Sequence, residues 1–191
     1  MKRVLFFGIC CCLGGCQLWG TLINGGHRLY TIVADDRTVA DDWADVQLNL
    51  QIRDALARQK AALVVDIEVT VFEGSVLLTG AVPNAETVQA ILSAVWSVPG
   101  VRKVYNYVRL DSAPALKDTA LEAAVATQIK TALALTPDIS SVNYKLVLEN
   151  GTVYLMGITA SVAEQEAVWA RLKNTVGVEK IIFLTRPKME N

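Results

Sequence analysis

The side chains able to do covalent, acid–base or metal chemistry are few and poorly placed for it. Of four cysteines, Cys10, Cys11 and Cys12 are contiguous, and Cys16 follows Leu13-Gly14-Gly15. A contiguous triplet lacks the spacing with which cysteines wrap a tetrahedral metal. His27 is the only histidine. A Ser-His-Asp or Cys-His arrangement would have to recruit it from an aperiodic, glycine-containing segment, where preorganisation is poor. Asp35, Asp36, Asp41, Asp42 and Asp45 are close in sequence, but not at the spacing of an EF-hand loop. The simpler reading is that Asp41 or Asp42 caps a helix and the others favour its positive N-terminus. There is no Gly-x-x-x-x-Gly-Lys-Ser/Thr loop and no dinucleotide fingerprint. The chain therefore reads as no enzyme, with no metal site, cofactor or small-molecule substrate. A carboxylate pair assembled by folding is the one catalytic chemistry left open.

Cys16 has a different chemistry. Lys2 and Arg3 precede Val4 to Leu13, an apolar run of about ten residues. That is the length of a secretory leader core and well short of a membrane span. Small residues then lead into Cys16, as bacterial lipoprotein processing requires. The segment resembles a lipobox, with residues 1–15 removed and Cys16 acylated, palmitate included. Removal of the leader and acylation of Cys16 leave no thiol for a disulfide or a nucleophile. Gln17, rather than Asp, directs such a protein to the outer membrane, facing the periplasm. An ordinary signal peptide or an N-terminal anchor, with an incidental cysteine, is the alternative.

The 191 residues carry 18 basic and 19 acidic side chains. Losing Lys2 and Arg3 with the leader leaves 16 against 19, a net charge of −3. No polybasic patch is present, so nucleic acid is excluded as a partner on electrostatic grounds. Residues 16–40 read as a lipidated tether containing Gly20, Gly25 and Gly26, with Trp19 and Tyr30 suited either to the membrane interface or to docking on the folded part.

The rest of the chain repeats itself. Sliding residues 52–110 by 77 positions places Ile52, Ala55, Leu56 and Ala57 on Ile129, Ala132, Leu133 and Ala134. It also places Gly74, Val76, Leu78 and Gly80 on Gly151, Val153, Leu155 and Gly157, and Gly100, Val101 and Lys103 on Gly177, Val178 and Lys180. What repeats is an apolar and glycine pattern, as in a duplicated binding or scaffolding module. Helical spacing over 42–59, alternation over 65–72 and 76–82, a helix at 85–97 and a strand at 101–110 give the order αββαβ. The second copy predicts a helix at 118–135, strands at 142–149 and 152–159, a helix at 161–174 and a strand at 178–185. Glu73-Gly74 and Asn150-Gly151 are hairpin turns. Gly80 and Gly157 imply a close neighbour, such as a crossing helix, and Gly100 and Gly177 read as helix C-caps. Trp43, Trp96 and Trp169 are expected as core or interface anchors. The fold class is α+β, an α/β sandwich of two αββαβ domains at 41–111 and 117–187. Each is a three-stranded mixed sheet covered by two helices, and each is small enough to need the other.

Glu73-Gly74-x-Val76-x-Leu78-x-Gly80 with Val98-Pro99-Gly100-Val101-x-x-Val104 resembles the BON domain. The second copy carries the same pattern in Asn150-Gly151-x-Val153-x-Leu155-x-Gly157 and Val176-Gly177-Val178-x-x-Ile181. Behind a lipobox, the pair is similar to the dual-BON outer-membrane lipoproteins of the DolP/YraP type. The resemblance implies a non-catalytic, monomeric lipoprotein that binds anionic phospholipid through the first helix of the second domain. It further implies support of cell-envelope integrity at the division site. Carried onto this chain, the lipid-facing residues are Lys117, Leu121, Ala124, Gln128, Lys130, Thr131 and Leu135, while Val125, Ile129 and Leu133 face the core. Ala124 stands where the family pattern puts a membrane-inserting aromatic, and Glu122 adds a negative charge nearby. A solvated or domain-packing face is the other reading of this helix. The alternative function is a periplasmic protein–protein adaptor or secretion-machine component, in which an envelope protein is the partner and only the acyl anchor touches the membrane.

Overall fold

The computed structural model describes residues 39–60, 63–111 and 119–188. Cys16, the leader, most of the tether and Lys117 lie outside them. The first helix, α1 (Val39–Gln59), is built on Leu48, Ile52 and Leu56, which recur every four residues and are all buried. Asp41 and Asp42 in its first turn and Arg58 in its last complement the helix dipole. A single turn, α2 (Leu63–Asp66), leads into β1 (Ile67–Phe72). The alternation read from Val65 onward therefore starts two residues late. Period two shows which side chains share a face but not where pairing begins, and the first paired residue is Ile67, opposite Gly80.

β1 turns into β2 (Ser75–Val82) through Glu73 and Gly74, with φ of 49° and 71°. Two consecutive positive φ values are the type I′ geometry that matches strand twist. Next comes α3 (Ala85–Trp96), started by Asn84, whose side-chain oxygen accepts the Thr87 N–H at 2.9 Å. It crosses back to β3 (Lys103–Leu110), which lies parallel to β2. The sheet order is β1-β2-β3, with β1 and β2 antiparallel.

The second half repeats this plan as α4 (Thr119–Ala134), β4 (Tyr144–Glu149), β5 (Thr152–Thr159), α5 (Val162–Leu172) and β6 (Lys180–Pro187). Its sheet order is β4-β5-β6, again antiparallel then parallel. Asn150 and Gly151, with φ of 46° and 70°, form the matching turn. A 3-10 turn, Ser141–Asn143, occupies the residues read as the start of β4. α5 is capped by Ser161, which accepts the Glu164 N–H, while the Glu164 carboxylate accepts the N–H of Ala160 at 2.6 Å and of Ser140 at 2.7 Å. This places a buried carboxylate at the positive end of the helix.

Gly80 and Gly157 do have a close neighbour, but it is not a crossing helix. A Cβ on Gly80 would lie 2.2 Å from the Asp66 carbonyl oxygen, and one on Gly157 would lie 2.0 Å from that of Asn143. In each half the short turn before the first strand presses its last carbonyl into the space a side chain would fill. Gly100 and Gly177 are likewise not helix caps: Ser97 and Lys173 hold those positions. The glycines turn the chain three to four residues later, at φ of 98° and 86°.

Each half has a core between its helices and one face of its sheet. Ile52, Leu56, Val76, Leu78, Ile91 and Val95 fill the first; Ile129, Leu133, Val153, Leu155, Val168 and Leu172 fill the second. A third core joins the halves through the helix-free sheet faces. Phe72 and Leu77 meet Val147, Tyr154, Met156 and Ile158 there, with Tyr107 and Leu184 packed alongside. The described chain is thus a four-layer helix–sheet–sheet–helix stack. Arg186 of β6 closes one rim with two 2.7 Å bonds to the Glu73 carboxylate, and Arg109 of β3 approaches Glu149 at 3.8 Å on the other. Arg109 and Arg186 are 77 residues apart and hold equivalent positions in the repeat, but their partners do not: Glu73 aligns with Asn150 and Glu149 with Phe72.

Candidate functional site

α4 carries the strip read from the sequence as lipid-facing. Val125, Ile129 and Leu133 point inward, as expected. Leu121, Ala124, Gln128 and Thr131 are exposed, and Leu135, just past the helix, is 76% exposed. At 1.5 Å per residue, Leu121 and Leu135 lie about 21 Å apart along the axis. The hydroxyls of Thr127 and Thr131 donate to the carbonyls of Ala123 at 2.8 Å and Thr127 at 2.9 Å. These local bonds satisfy the hydroxyls on the helix itself. Lys130 is also exposed, but at 3.6 residues per turn it lies roughly 140° around the helix from the Leu121–Leu135 line. The buried line of Val125, Ile129 and Leu133 lies between the two, so Lys130 does not share the strip's face as the sequence reading expected.

The Glu122 carboxylate accepts the N–H of Asn150 at 2.7 Å, at the hairpin turn. Its charge is thereby directed at a backbone dipole beside the strip. The same clasp exists in the first half, where Asp45, 77 residues earlier, accepts the N–H groups of Glu73 at 2.9 Å and Gly74 at 3.2 Å. Asp45 is buried and lies 3.7 Å from the Lys145 ammonium, which also donates to the Val71 carbonyl at 2.8 Å. Asp45 therefore does more than favour its own helix dipole: it fastens α1 to the hairpin and to β4. The signal is present in the repeat, which aligns Asp45 with Glu122.

The tryptophans depart from expectation. Trp43 on α1 is 63% exposed, and Trp96 and Trp169 are about half exposed. On α3 the buried line is Ile91, Ala94 and Val95, which leaves Trp96 at the helix end outside it. On α5 Val168 and Leu172 take the inward line, and Trp169 turns outward with the Lys173 ammonium 4.4 Å from its ring centre. Trp169 borders an open groove of about 500 Å³ with Val162, Ile181 and Phe183. A more polar cleft of about 750 Å³ lies over Glu73, Arg102 and Arg186.

Two tyrosines of the second half have displaced titrations. Burial pushes Tyr144 up to about 12 from an ordinary 10, outweighing the opposing influence of the neighbouring Thr159 hydroxyl. Tyr154 is also raised, by burial first and then by the nearby Glu149 carboxylate. Among the described residues no group of three or more His, Cys, Asp or Glu side chains gathers to hold a metal. No described helix is long and apolar enough to cross a membrane.

Comparison with known proteins matches the sequence to one family. The model of the BON domain matches twice, over residues 44–112 and 121–183. An uncharacterized protein from the gshII 5′ region of Anaplasma centrale is 36% identical over 123 residues, 64% of this chain and 82% of its own. The outer membrane lipoprotein DolP of Haemophilus influenzae is 26% identical over 183 residues, 95% of this chain and 93% of its own. A 21 kDa hemolysin of Actinobacillus pleuropneumoniae is 27% identical over 161 residues, 82% of this chain and 80% of its own. With two matched modules, each an αββαβ unit, the chain belongs to the BON-domain family.

Proposed function

We propose that this chain is a non-catalytic lipoprotein of the outer membrane, anchored through Cys16 and facing the periplasm. It contacts anionic phospholipid through α4 and supports envelope integrity, with the division site as its place of action. The relative named DolP, an outer membrane lipoprotein aligned over nearly the whole chain, supports the location. The observation that carries the lipid reading is the outward strip of α4, with Leu121 60% and Leu135 76% exposed and no aromatic between them. Without an aromatic, contact is shallow, at headgroup depth. Burying Leu121, Ala124 and Leu135 contributes about 3–5 kcal/mol by area. That binding is weak alone and sufficient once an acyl anchor raises the local concentration.

The adaptor reading draws on the Trp169 groove, whose apolar lining on an edge strand fits an extended segment of an envelope protein. One experiment separates the two. A chain beginning at Asp35, verified as folded by its amide spectrum, is titrated with vesicles containing phosphatidylglycerol. Shifts confined to residues 119–135 support the lipid reading. No shift at low salt, with shifts in Val162, Trp169 and Phe183 on adding periplasmic extract, supports the adaptor. Mass spectrometry of the mature N-terminus tests the acyl chain on Cys16.

A further inference from the structure

β3 and β6 each end their sheet, but the two edges are finished differently. On β3 the even-numbered residues point their N–H groups outward, because Asp111 donates inward to Val82. The outward N–H of Val108 is capped by the Asn106 side chain at 3.1 Å. A capped N–H cannot pair with another strand. On β6, Lys180 and Lys188 donate inward to Gly151 and Thr159. Ile181, Phe183 and Thr185 therefore turn their N–H and C=O groups outward. Asn106 has Phe183 as its counterpart, a side chain that cannot cap. None of these three N–H groups has a partner among the described residues. The Ile181 and Phe183 side chains line the groove with Val162 and Trp169, directly beside this open edge.

Two cations stand at one end of it. α5 joins parallel strands, so it runs back against them and finishes beside the start of β6. Lys173, with its ammonium over Trp169, and Lys180 are both exposed there. Neither has an ion-pair partner among the described residues. Glu179 lies over the Gly151 turn, and Glu166 is about 10 Å back along the helix from Lys173.

We infer that β6 accepts an added strand: an extended peptide segment, antiparallel to β6, with apolar side chains at alternate positions and two consecutive acidic residues at its C-terminal end. Antiparallel pairing is the stronger ladder, and it puts that end beside Lys180. Successive strand residues point to opposite faces, so one acid meets Lys173 on the helix face and the other meets Lys180 on the opposite face. The alternate apolar side chains fill the groove, while the main chain pairs with the three open residues. A second copy of β6 fits less well. The register that uses all three residues of both copies centres on Phe183, and it sets Lys180 against Arg186, already tied to Glu73. Strand addition here rests on the adaptor reading of this groove and is independent of lipid contact by α4.

The test follows amide exchange in the full chain, held in detergent micelles, with up to about 1 mM of a synthetic peptide. The probe alternates valine and threonine and ends in two aspartates. One control ends in two lysines, and another is N-methylated at the amides that face β6. At saturation the aspartate peptide slows exchange at Ile181, Phe183 and Thr185 at least about ten-fold, while Ile182 and Leu184, already bonded to β5, keep their rates. It binds at least about five-fold more tightly than the lysine peptide. Lys173→Glu with Lys180→Glu reverses that order, and the N-methylated peptide does not bind. Equal affinity for the two charged peptides overturns the proposal. So does binding that perturbs Val162 and Trp169 without protecting the three amides, although the groove then remains a docking site and the adaptor reading survives. No response to any peptide also overturns strand addition, and the periplasmic-extract titration then judges the adaptor reading separately. Protection without peptide that grows with protein concentration makes a second copy the occupant. Protection that appears without peptide in phosphatidylglycerol nanodiscs makes it the bilayer. Either result overturns the proposal.

Discussion

The two halves of this chain agree on the inside and disagree on the outside. Ile52 and Leu56 of α1 have Ile129 and Leu133 as counterparts in α4, all fully or nearly fully buried. Trp43, Val46 and Leu50 have Ala120, Ala123 and Thr127. The exposed leucines of α4, Leu121 and Leu135, answer to Ala44 and Arg58. Each first helix thus displays an apolar strip, but on different sides of its axis. The duplicated core is what the αββαβ plan demands of any copy. The strips are under no such demand, so their divergence points to two surfaces with two tasks.

The deepest shared constraint is the glycine under the first strand, and breaking it gives the largest expected effect. Gly80→Ala and Gly157→Ala each force a methyl into a carbonyl oxygen at about 2 Å, at φ of 127° and 152°. Each should cost about 4 kcal/mol or more, seen as a large drop in the urea midpoint. A loss below about 1 kcal/mol in either half would show that the carbonyl can withdraw, and that the shared device is weaker than its geometry. The carboxylate clasps come next, and here the halves should part. Asp45 is buried with two backbone donors and Lys145, so Asp45→Ala should cost about 2–3 kcal/mol. Glu122 holds one exposed N–H, and Glu122→Ala should cost about 1 kcal/mol. Equal costs would mean that Lys145 adds nothing to the first clasp. The rim pairs should differ less. A double-mutant cycle on Arg186 and Glu73, a forked contact with two short bonds, should give about 1–2 kcal/mol of coupling. The looser Arg109–Glu149 pair should give less than about 1 kcal/mol.

The repeat makes much of this readable. Buried lines at spacing four and paired hairpin glycines follow from period and turn chemistry alone, and both halves fold as those patterns direct. The sheet-to-sheet core is harder to foresee. Val76-Leu77-Leu78 and the run Val153 to Ile158 are apolar on both faces, the mark of a strand covered on both sides. Alternation templates attend to one face and pass over the other. The strand starts at Ile67 and Tyr144 depend on a carbonyl packing under a glycine some thirteen residues away, which no local pattern encodes. Asp45 hides its role because a carboxylate at a helix start serves the dipole in any case, so residue type cannot reveal a second, distant partner. The α4 strip is legible as exposed, because its inward neighbours fix the helix rotation. The three outward tryptophans are not, since a large apolar ring is equally at home in a core or on a docking face.

Titration offers the finest contrast. Tyr144 and Tyr154 correspond to Ile67 and Leu77 in the first half, so any alkaline sensitivity from these positions belongs to the second half alone. The Tyr144 phenol ionises at about 12 in the fold and near 10 when unfolded. A raised folded value means that the fold holds the proton more tightly. Its stabilisation is complete below pH 10 and is lost as pH rises from 10 through 12. Two units on a fully buried group would amount to about 2.7 kcal/mol. Tyr144 is only half buried, and solvent screening reduces this to about 1 kcal/mol. Tyr154 shifts the same way and adds to the loss. Stability measured at about pH 9 and about pH 11.5 should therefore fall between the two. Tyr144→Phe should recover most of the difference while changing the lower-pH value little. Amide exchange at the lower pH sets the reference for each half. If Tyr144→Phe leaves the alkaline loss intact, or if the loss opens β1 and β2 as readily as β4 and β5, the halves share a sensitivity that the tyrosines do not explain.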